Sequence, residues 1–303
     1  MSATGGLRES WVFIATVIAA GGLARGDISA AADVIRVAGA TPGEERWVEE
    51  NEAFDLGFDG DPAAVRAALE RHFPRGDTIV QPASGRAKRL LVADMDSTMI
   101  TIECIDELAD YAGIKAEVAA VTEAAMRGEL DFEGALDARV ALLRDLDAAV
   151  IERCHVERVR IMPGARALVR TMRARGARTV LVSGGFTVFA ERVAQEIGFD
   201  RAIANRLDIA DGRLAGTVSR PIVGAATKRE ALLSEAAALG IPLAATLAVG
   251  DGANDIPMIE MAGLGVAYHA KPKTAAAAAA RIAVGDLGVL LFAQGYPRKE
   301  WSE

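Results

Sequence analysis

Apolar residues along the chain fall into two rhythms. Short unbroken runs at residues 90–93, 180–182 and 247–249 read as buried strands. Each ends in small or acidic residues. Leu90-Leu91-Val92-Ala93 runs into Asp94-Met95-Asp96-Ser97-Thr98, Val180-Leu181-Val182 into Ser183-Gly184-Gly185, and Leu247-Ala248-Val249 into Gly250-Asp251-Gly252-Ala253-Asn254-Asp255. Residues 165–175 and 186–197 carry helical spacing, and Met162-Pro163-Gly164 turns the chain into the first of them. From Thr98 to Arg153 nothing reads as a strand, which predicts an inserted helical segment over the strand ends. Residues 205–216 predict a hairpin turning at Asp211-Gly212. The alanine run at 275–280 predicts a helix by propensity, and 296–303 a frayed tail.

The first 85 residues alternate differently. Strands are expected at 11–18, 45–50, 53–58 and 78–80, with helices at 27–36 and from Asp61, as N-cap, to His72. The order βαββαβ predicts a small α+β, ferredoxin-like sandwich, and Gln81-Pro82-Ala83-Ser84-Gly85 a linker. In pattern alone this segment is similar to the amino-acid-binding (ACT-like) regulatory domains of metabolic enzymes. A structural or dimerising role without a ligand fits it equally well. The expected division is thus residues 1–85 and 86–303, with the helical cap at about 100–155.

In an α/β sheet, ligands bind beyond the carboxyl ends of strands, which is where these motifs lie. Asp94 and Asp96 form an acidic pair that no neighbouring Arg or Lys offsets. Close carboxylates repel unless a cation or a proton intervenes. Mg²⁺ suits that need, because it takes oxygen ligands and pairs with substrate phosphate. Ser183 and the glycines after it offer a hydroxyl and backbone amides to phosphate oxygens. Lys228, at the expected start of a helix, adds a positive charge. Each stretch alone has a bland reading, as an acid-rich turn or a solvated lysine. All of them together, in this order and mostly at strand ends, point to phosphoryl chemistry.

The set resembles the haloacid dehalogenase-like phosphotransferases, whose signature is Asp-x-Asp-x-Thr/Val, then Ser/Thr, then Lys, then Gly-Asp-x-x-x-Asp. Here these are Asp94, Asp96 and Thr98, then Ser183, Lys228, Asp251 and Asp255. The resemblance covers roughly residues 85–295 and is nearest to the phosphoserine phosphatase branch. It implies an α/β, Rossmann-like core with a helical cap, Asp94 as the nucleophile forming an aspartyl-phosphate, and Asp96 as general acid and then base. It also implies Mg²⁺ held by Asp94, the Asp96 backbone carbonyl and Asp251. Lys228 is expected with the catalytic group, and Ser183, Gly184, Lys228 and Asn254 around the substrate. In that branch a cap glutamate holds the substrate ammonium and a cap arginine its carboxylate. Glu103 and Arg139 match these, and Phe132 matches an apolar cap contact. A zwitterion needs one group of each sign, and Arg grips a carboxylate bidentately.

The implied activity is hydrolysis of O-phospho-L-serine to L-serine and phosphate, the last step of serine biosynthesis. Two rivals remain: the same intermediate serving another small phosphate monoester or an acceptor alcohol such as homoserine, and a receiver-like switch phosphorylated at Asp94. Against the switch stands Asp96, since a switch needs a long-lived acyl phosphate with no general base beside it.

Composition narrows the partners. The net charge is −8 with no long basic run, which argues against nucleic acid and anionic membranes. Hydrophobic content of 51% and charged content of 25% favour a substantial core over disorder. Cys104, Cys154, His72, His155 and His269 fall into no zinc-site spacing, and two cysteines make no disulfide framework. The apolar run at 11–24 is too short to span a bilayer, and Arg8-Glu9 before it is not a positive leader region. The expectation is a cytoplasmic enzyme acting on a small molecule, with a homodimer through the first domain as an option.

Overall fold

The computed structural model describes residues 11–303, so the Arg8-Glu9 segment lies outside the described residues. The chain runs β1 (Phe13–Ile18), α1 (Arg25–Val37), β2 (Thr41–Glu49), β3 (Ala53–Asp59), α2 (Pro62–His72), β4 (Asp77–Pro82) and β5 (Leu90–Ala93). Four helices follow, α3 (Cys104–Ala112), α4 (Lys115–Met126), α5 (Phe132–Leu142) and α6 (Ala149–Arg158). Then come α7 (Ala165–Ala174), β6 (Arg178–Phe186), α8 (Thr187–Ile197), β7 (Arg201–Asn205), β8 (Leu207–Ala210), β9 (Arg213–Val218) and α9 (Ala225–Ala238). The chain closes with β10 (Thr246–Gly250), α10 (Ile256–Met261), β11 (Leu264–Tyr268), α11 (Pro272–Ala277), β12 (Ala280–Ile282) and α12 (Val289–Ala293).

The strands β5–β7 and β10–β12 form one parallel sheet in the order β12-β11-β10-β5-β6-β7. Every residue of β5 is fully buried, as expected of a strand covered on both faces. Alternate side chains go to opposite layers. Leu91, Ala93, Leu181, Leu247 and Val249 pack with α7, α8 and α12, while Leu90, Val92, Val180, Val182 and Ala248 pack with α9 and α10. From β5 the chain winds through β6 to β7 on one side, then crosses to build β10, β11 and β12 on the other. The direction of winding therefore reverses between β5 and β10, the place where open α/β sheets form a crevice at their carboxyl ends. The helices α3–α6 sit in the expected cap segment, and β8–β9 is a hairpin turning at Asp211-Gly212, both with positive φ.

The first sheet has the antiparallel order β2-β3-β1-β4, that of a βαββαβ ferredoxin-like sandwich. Asp61 caps α2 as expected, accepting from the Ala63 N–H. One sheet face packs on α1 and α2 through Ala15, Val17, Phe54, Leu56, Ile35 and Leu69. The opposite face sends Ile18, Ala53 and Ile79 into the cluster that also holds α12. Arg86 fastens this junction. Its guanidinium donates to both oxygens of the fully buried Asp55, at 2.6 and 3.0 Å, and to the carbonyls of Phe292 and Ala293 at the end of α12.

Three expectations need correction. Gln81 and Pro82 belong to β4 rather than to a linker, because β4 pairs with β1 along its whole length. The alanine helix stops at Ala277, and Ala280 pairs in β12 against Val266, where the sheet edge overrides helix propensity. The tail is docked, not frayed: Trp301 packs on Phe292 and donates to the Tyr296 carbonyl, and the Ser302 N–H donates to Thr171.

Removing one partner of a buried pair strands the other charge, typically at a cost of about 3–5 kcal/mol. Arg46 also reaches Asp55, so Arg86→Ala should sit at the low end, about 3 kcal/mol, in urea unfolding. A loss below about 1 kcal/mol would show that Arg46 alone satisfies Asp55.

Candidate active site

The β5 strand delivers Asp94 to the floor of the crevice, and the Asp94 N–H still donates to the Val249 carbonyl of β10 at 3.0 Å. Chain reversal begins at once: the Met99 and Ile100 N–H groups both return to the Met95 carbonyl, and Ser97 takes a positive φ of 54°. This tight loop aims Asp94 and Asp96 differently. The Asp94 Oδ1 atom accepts from the Met95 N–H and lies 2.7 Å from Lys228 Nζ. Asp96 Oδ1 accepts from the Cys104 N–H at 3.1 Å, at the first turn of α3.

Lys228 is fully buried in the first turn of α9 and reaches across to two carboxylates, Asp94 and Asp255, the latter at 2.6 Å. Asp255 is also fully buried and accepts from the Gly252 N–H. Asp251 follows β10 and accepts from the Thr98 hydroxyl at 3.1 Å. Carboxylate oxygens of Asp94, Asp251 and Asp255 lie within 4.8 Å of one another. The Asp96 carboxylate is outside that group, so the expected role of Asp96 as a metal ligand rests on its backbone carbonyl alone. Asp255 received no role from the sequence, although it stands four residues after Asp251 on the same glycine-led turn.

Charge in this pocket is unbalanced. Burial alone would depress the Lys228 ammonium, but Asp255 and Asp94 more than offset that and hold it charged, above the usual lysine range. One ammonium cannot neutralise three carboxylates. Burial and the charge of Asp255 therefore push Asp94 well above the usual carboxylate range and Asp251 up to about 6. A hard divalent cation among these oxygens would relieve the surplus, and the all-oxygen donor set fits one. Asp96 is pushed up to about 6 by burial, opposed by its hydrogen bonds from Cys104.

β6 brings the third stretch. Ser183 is fully buried, and its hydroxyl accepts from the Gly185 N–H at 2.8 Å. The Gly184 carbonyl is held away by the side chain of Asn205, which also bonds Val223 through both its amide N and O atoms. Asn205 ties the β6 loop to the segment that leads into α9, a role nothing in the sequence pattern signalled. The Phe132 ring, at the start of α5, lies over the backbone of Gly184 and Gly224. A Cβ at either glycine would come within 3.2 Å of that ring. Asn254 lies beside the same spot, its Nδ2 3.7 Å from a Cβ built at Gly184.

The two charged cap residues are less directly tied. Glu103 accepts from the Ser97 hydroxyl at 2.6 Å. Although open to water, its carboxyl is crowded enough that desolvation, then the charge of Asp96, raises it to about 7. The Arg139 guanidinium donates to the Ala135 carbonyl and forms no ion pair with a described carboxylate, though the charges of Asp106 and Glu103 act on it.

A family model described as haloacid dehalogenase-like hydrolase matches residues 91–260, more than half of the chain. The chain belongs to that family. It is 50% identical over 215 residues to a phosphoserine phosphatase of Streptomyces coelicolor, an alignment covering 71% of this chain. The chain spans about half of that relative's length, 52%. Its fold is similar to that of the unliganded probable phosphoserine phosphatase of Vibrio cholerae, with a TM-score of 0.74 and 34% identity over 96% of this chain and 91% of that one. A phosphoserine phosphatase solved as a phospho-aspartyl intermediate analogue matches 68% of this chain and 98% of its own, at 40% identity and a TM-score of 0.63. The haloacid dehalogenase-like core accounts for the parallel sheet, and the V. cholerae protein is alike through the first sheet as well.

In this family member the buried lysine holds the carboxylates together. Without a divalent cation, Lys228→Met should lower stability by about 3–5 kcal/mol, because two buried carboxylates lose their shared counter-charge. Denaturant unfolding at neutral pH reads this, and the deficit should shrink in acid, where Asp94, whose proton affinity burial already raises, takes up a proton. A variant as stable as the parent would show that water, not Lys228, satisfies these acids.

Proposed function

We propose that the protein hydrolyses O-phospho-L-serine to L-serine and phosphate through a covalent aspartyl-phosphate on Asp94. The observation that supports this reading best is the buried Lys228 held 2.7 Å from Asp94, beside a cap whose Phe132 ring lies against Gly184; Glu103 and Arg139 are read as the cap's charged substrate contacts. The relatives' names support the substrate.

In this mechanism an Asp94 oxygen attacks phosphorus and the bond to the seryl oxygen breaks. Asp96 donates its proton to that leaving oxygen, since an alkoxide leaves poorly without one. A pKa of about 6 keeps part of Asp96 protonated near neutrality and lets it act again as base. It then takes a proton from the water that attacks the aspartyl-phosphate, giving phosphate and free Asp94. Splitting one hard displacement into two eases each. Lys228 steadies the charge on Asp94, while the Ser183 hydroxyl and the Gly184 N–H would donate to the transferred group. Mg²⁺ is the proposed cation; Asp94, Asp251 and the Asp96 carbonyl would hold it, with Asp255 behind them, and it would supply charge neutralisation for the phosphoryl oxygens.

The wider setting belongs to the same proposal. Residues 1–85 are read as one unit and 86–303 as the catalytic one, a division supported by the two separate sheets. The first unit serves regulation or homodimerisation. A cytoplasmic location fits, and among the described residues no helix is long and apolar enough to cross a membrane.

A screen of small phosphate monoesters, with Mg²⁺ and with chelator, tests the reading. Phosphoserine should give the highest kcat/KM, abolished by chelator; adding homoserine should yield no phosphohomoserine. A chelator-resistant enzyme, or a preference for an unrelated phosphate, would overturn it.

Two cap predictions refine the substrate. A hydrogen bond to a charged group contributes about 1.5–3 kcal/mol, or roughly 10- to 100-fold. Arg139→Ala should therefore cut kcat/KM for phosphoserine by about that factor and leave phosphoethanolamine, which lacks the carboxylate, nearly unchanged. Equal loss on both would remove Arg139 from carboxylate binding. Glu103, with its pKa raised to about 7, holds an ammonium only when ionised. As pH falls through 7 it gains a proton and loses that charge, so KM for phosphoserine should climb by up to about tenfold per pH unit. A KM flat from pH 8 to 5.5 would exclude Glu103 as the ammonium partner.

A further inference from the structure

Asp96 has two oxygens, and the fold treats them differently. Oδ1 is occupied: it accepts from the Cys104 N–H at 3.1 Å, at the first position of α3. Oδ2 lies against the backbone of Gly185, in the space a side chain would fill. A Cβ on Gly185 would come within 2.7 Å of Asp96 Oδ2, 3.0 Å of the Ser183 hydroxyl and 3.2 Å of the Met95 methyl. At 2.7 Å something must move, and little there can. Asp96 has a short side chain pinned through its other oxygen, and the Ser183 hydroxyl is itself engaged by the Gly185 N–H. The neighbouring Gly184 is different, because its missing Cβ faces the Phe132 ring and the Asn254 amide, not Asp96.

We propose that Gly185 is a positioning residue for proton transfer: the slot left by its missing side chain, together with the Cys104 N–H, fixes which Asp96 oxygen carries the transferred proton and where that oxygen points. Oδ2 is the oxygen that gives the proton to the leaving group and recovers it from water, and Oδ1 remains the anchor. This rests on the reading of Asp96 as acid and base.

In phosphoenzyme formation the Asp94–phosphorus bond forms, the phosphorus–oxygen bond of the substrate breaks, and its electron pair goes to the leaving oxygen. A seryl oxygen needs the Asp96 proton at that moment. A nitrophenolate leaves without one. Misaiming Oδ2 therefore slows the first substrate and spares the second, a selectivity that a general loosening of the site does not produce.

The test compares burst rates of phosphoenzyme formation from phosphoserine and p-nitrophenyl phosphate in the presence of Mg²⁺. The ratio of the two rates does not depend on the fraction of protein that folds. Gly185→Ala should slow the seryl reaction by about 100-fold, the usual effect of a misplacement near 1 Å, and the aryl reaction by less than about threefold. Cys104→Pro is the second variant, removing the anchoring N–H at a position where α3 tolerates proline and after Glu103, whose ψ of 108° suits a residue before proline. Its ratio should shift the same way. Asp96→Asn is the reference and should be selective against the seryl substrate. If Asp96→Asn slows both substrates alike, the acid role of Asp96 falls and the proposal with it. If Asp96→Asn is selective but Gly185→Ala and Cys104→Pro are not, the acid role stands and the positioning by Gly185 is overturned.

Discussion

A single buried ammonium organises the centre of this protein. Lys228, with no exposed surface, sits between Asp94 and Asp255 at 2.7 and 2.6 Å. It is too little charge for the acids around it, and that shortfall gives the site its chemistry. The surplus falls on Asp94 and Asp251, whose proton affinities rise, and it leaves an oxygen-lined position suited to a divalent cation.

The sheet makes this arrangement affordable. The three charged partners come from three places: the ends of β5 and β10 and the first turn of α9. They meet because winding reverses between β5 and β10, so both carboxyl ends open onto one crevice. Around it the backbone is held by polar side chains. Asn205 clamps the Gly184 carbonyl and both polar groups of Val223, and Thr98 holds Asp251. The cap closes the crevice through a ring-on-glycine contact, Phe132 over Gly184 and Gly224, where any side chain on the glycines would obstruct it.

Much of this was legible in the sequence, for physical reasons that differ between elements. A strand buried on both faces must be a continuous apolar run, so β5, β6 and β10 could be read directly, and the polar residues after them marked the crevice. The N-capping of α2 by Asp61 was equally local. Other features depended on distant partners. Asp255 was legible as the last acid of the glycine-led motif, but its partner was not, because Lys228 arrives from another element. The role of Asn205 exists only because β7 lies beside the β6 loop. The alanine run and the tail were misread because the sheet edge at Val266 and the surface around Phe292 and Thr171 override local propensity. Arg139 was singled out by family resemblance, and its guanidinium is linked to the site through the charges of Asp106 and Glu103, without an ion pair among the described residues.

The central claim is that phosphate passes through a covalent bond to Asp94. Rapid acid quenching of the enzyme during turnover of ³²P-labelled phosphoserine, followed by proteolysis and mass spectrometry, tests it directly. The account predicts label on the peptide containing Asp94, released by hydroxylamine as an acyl phosphate, with none on Asp96, Asp251 or Ser183. Label on any other residue, or sustained turnover with no labelled enzyme at any time, would contradict it.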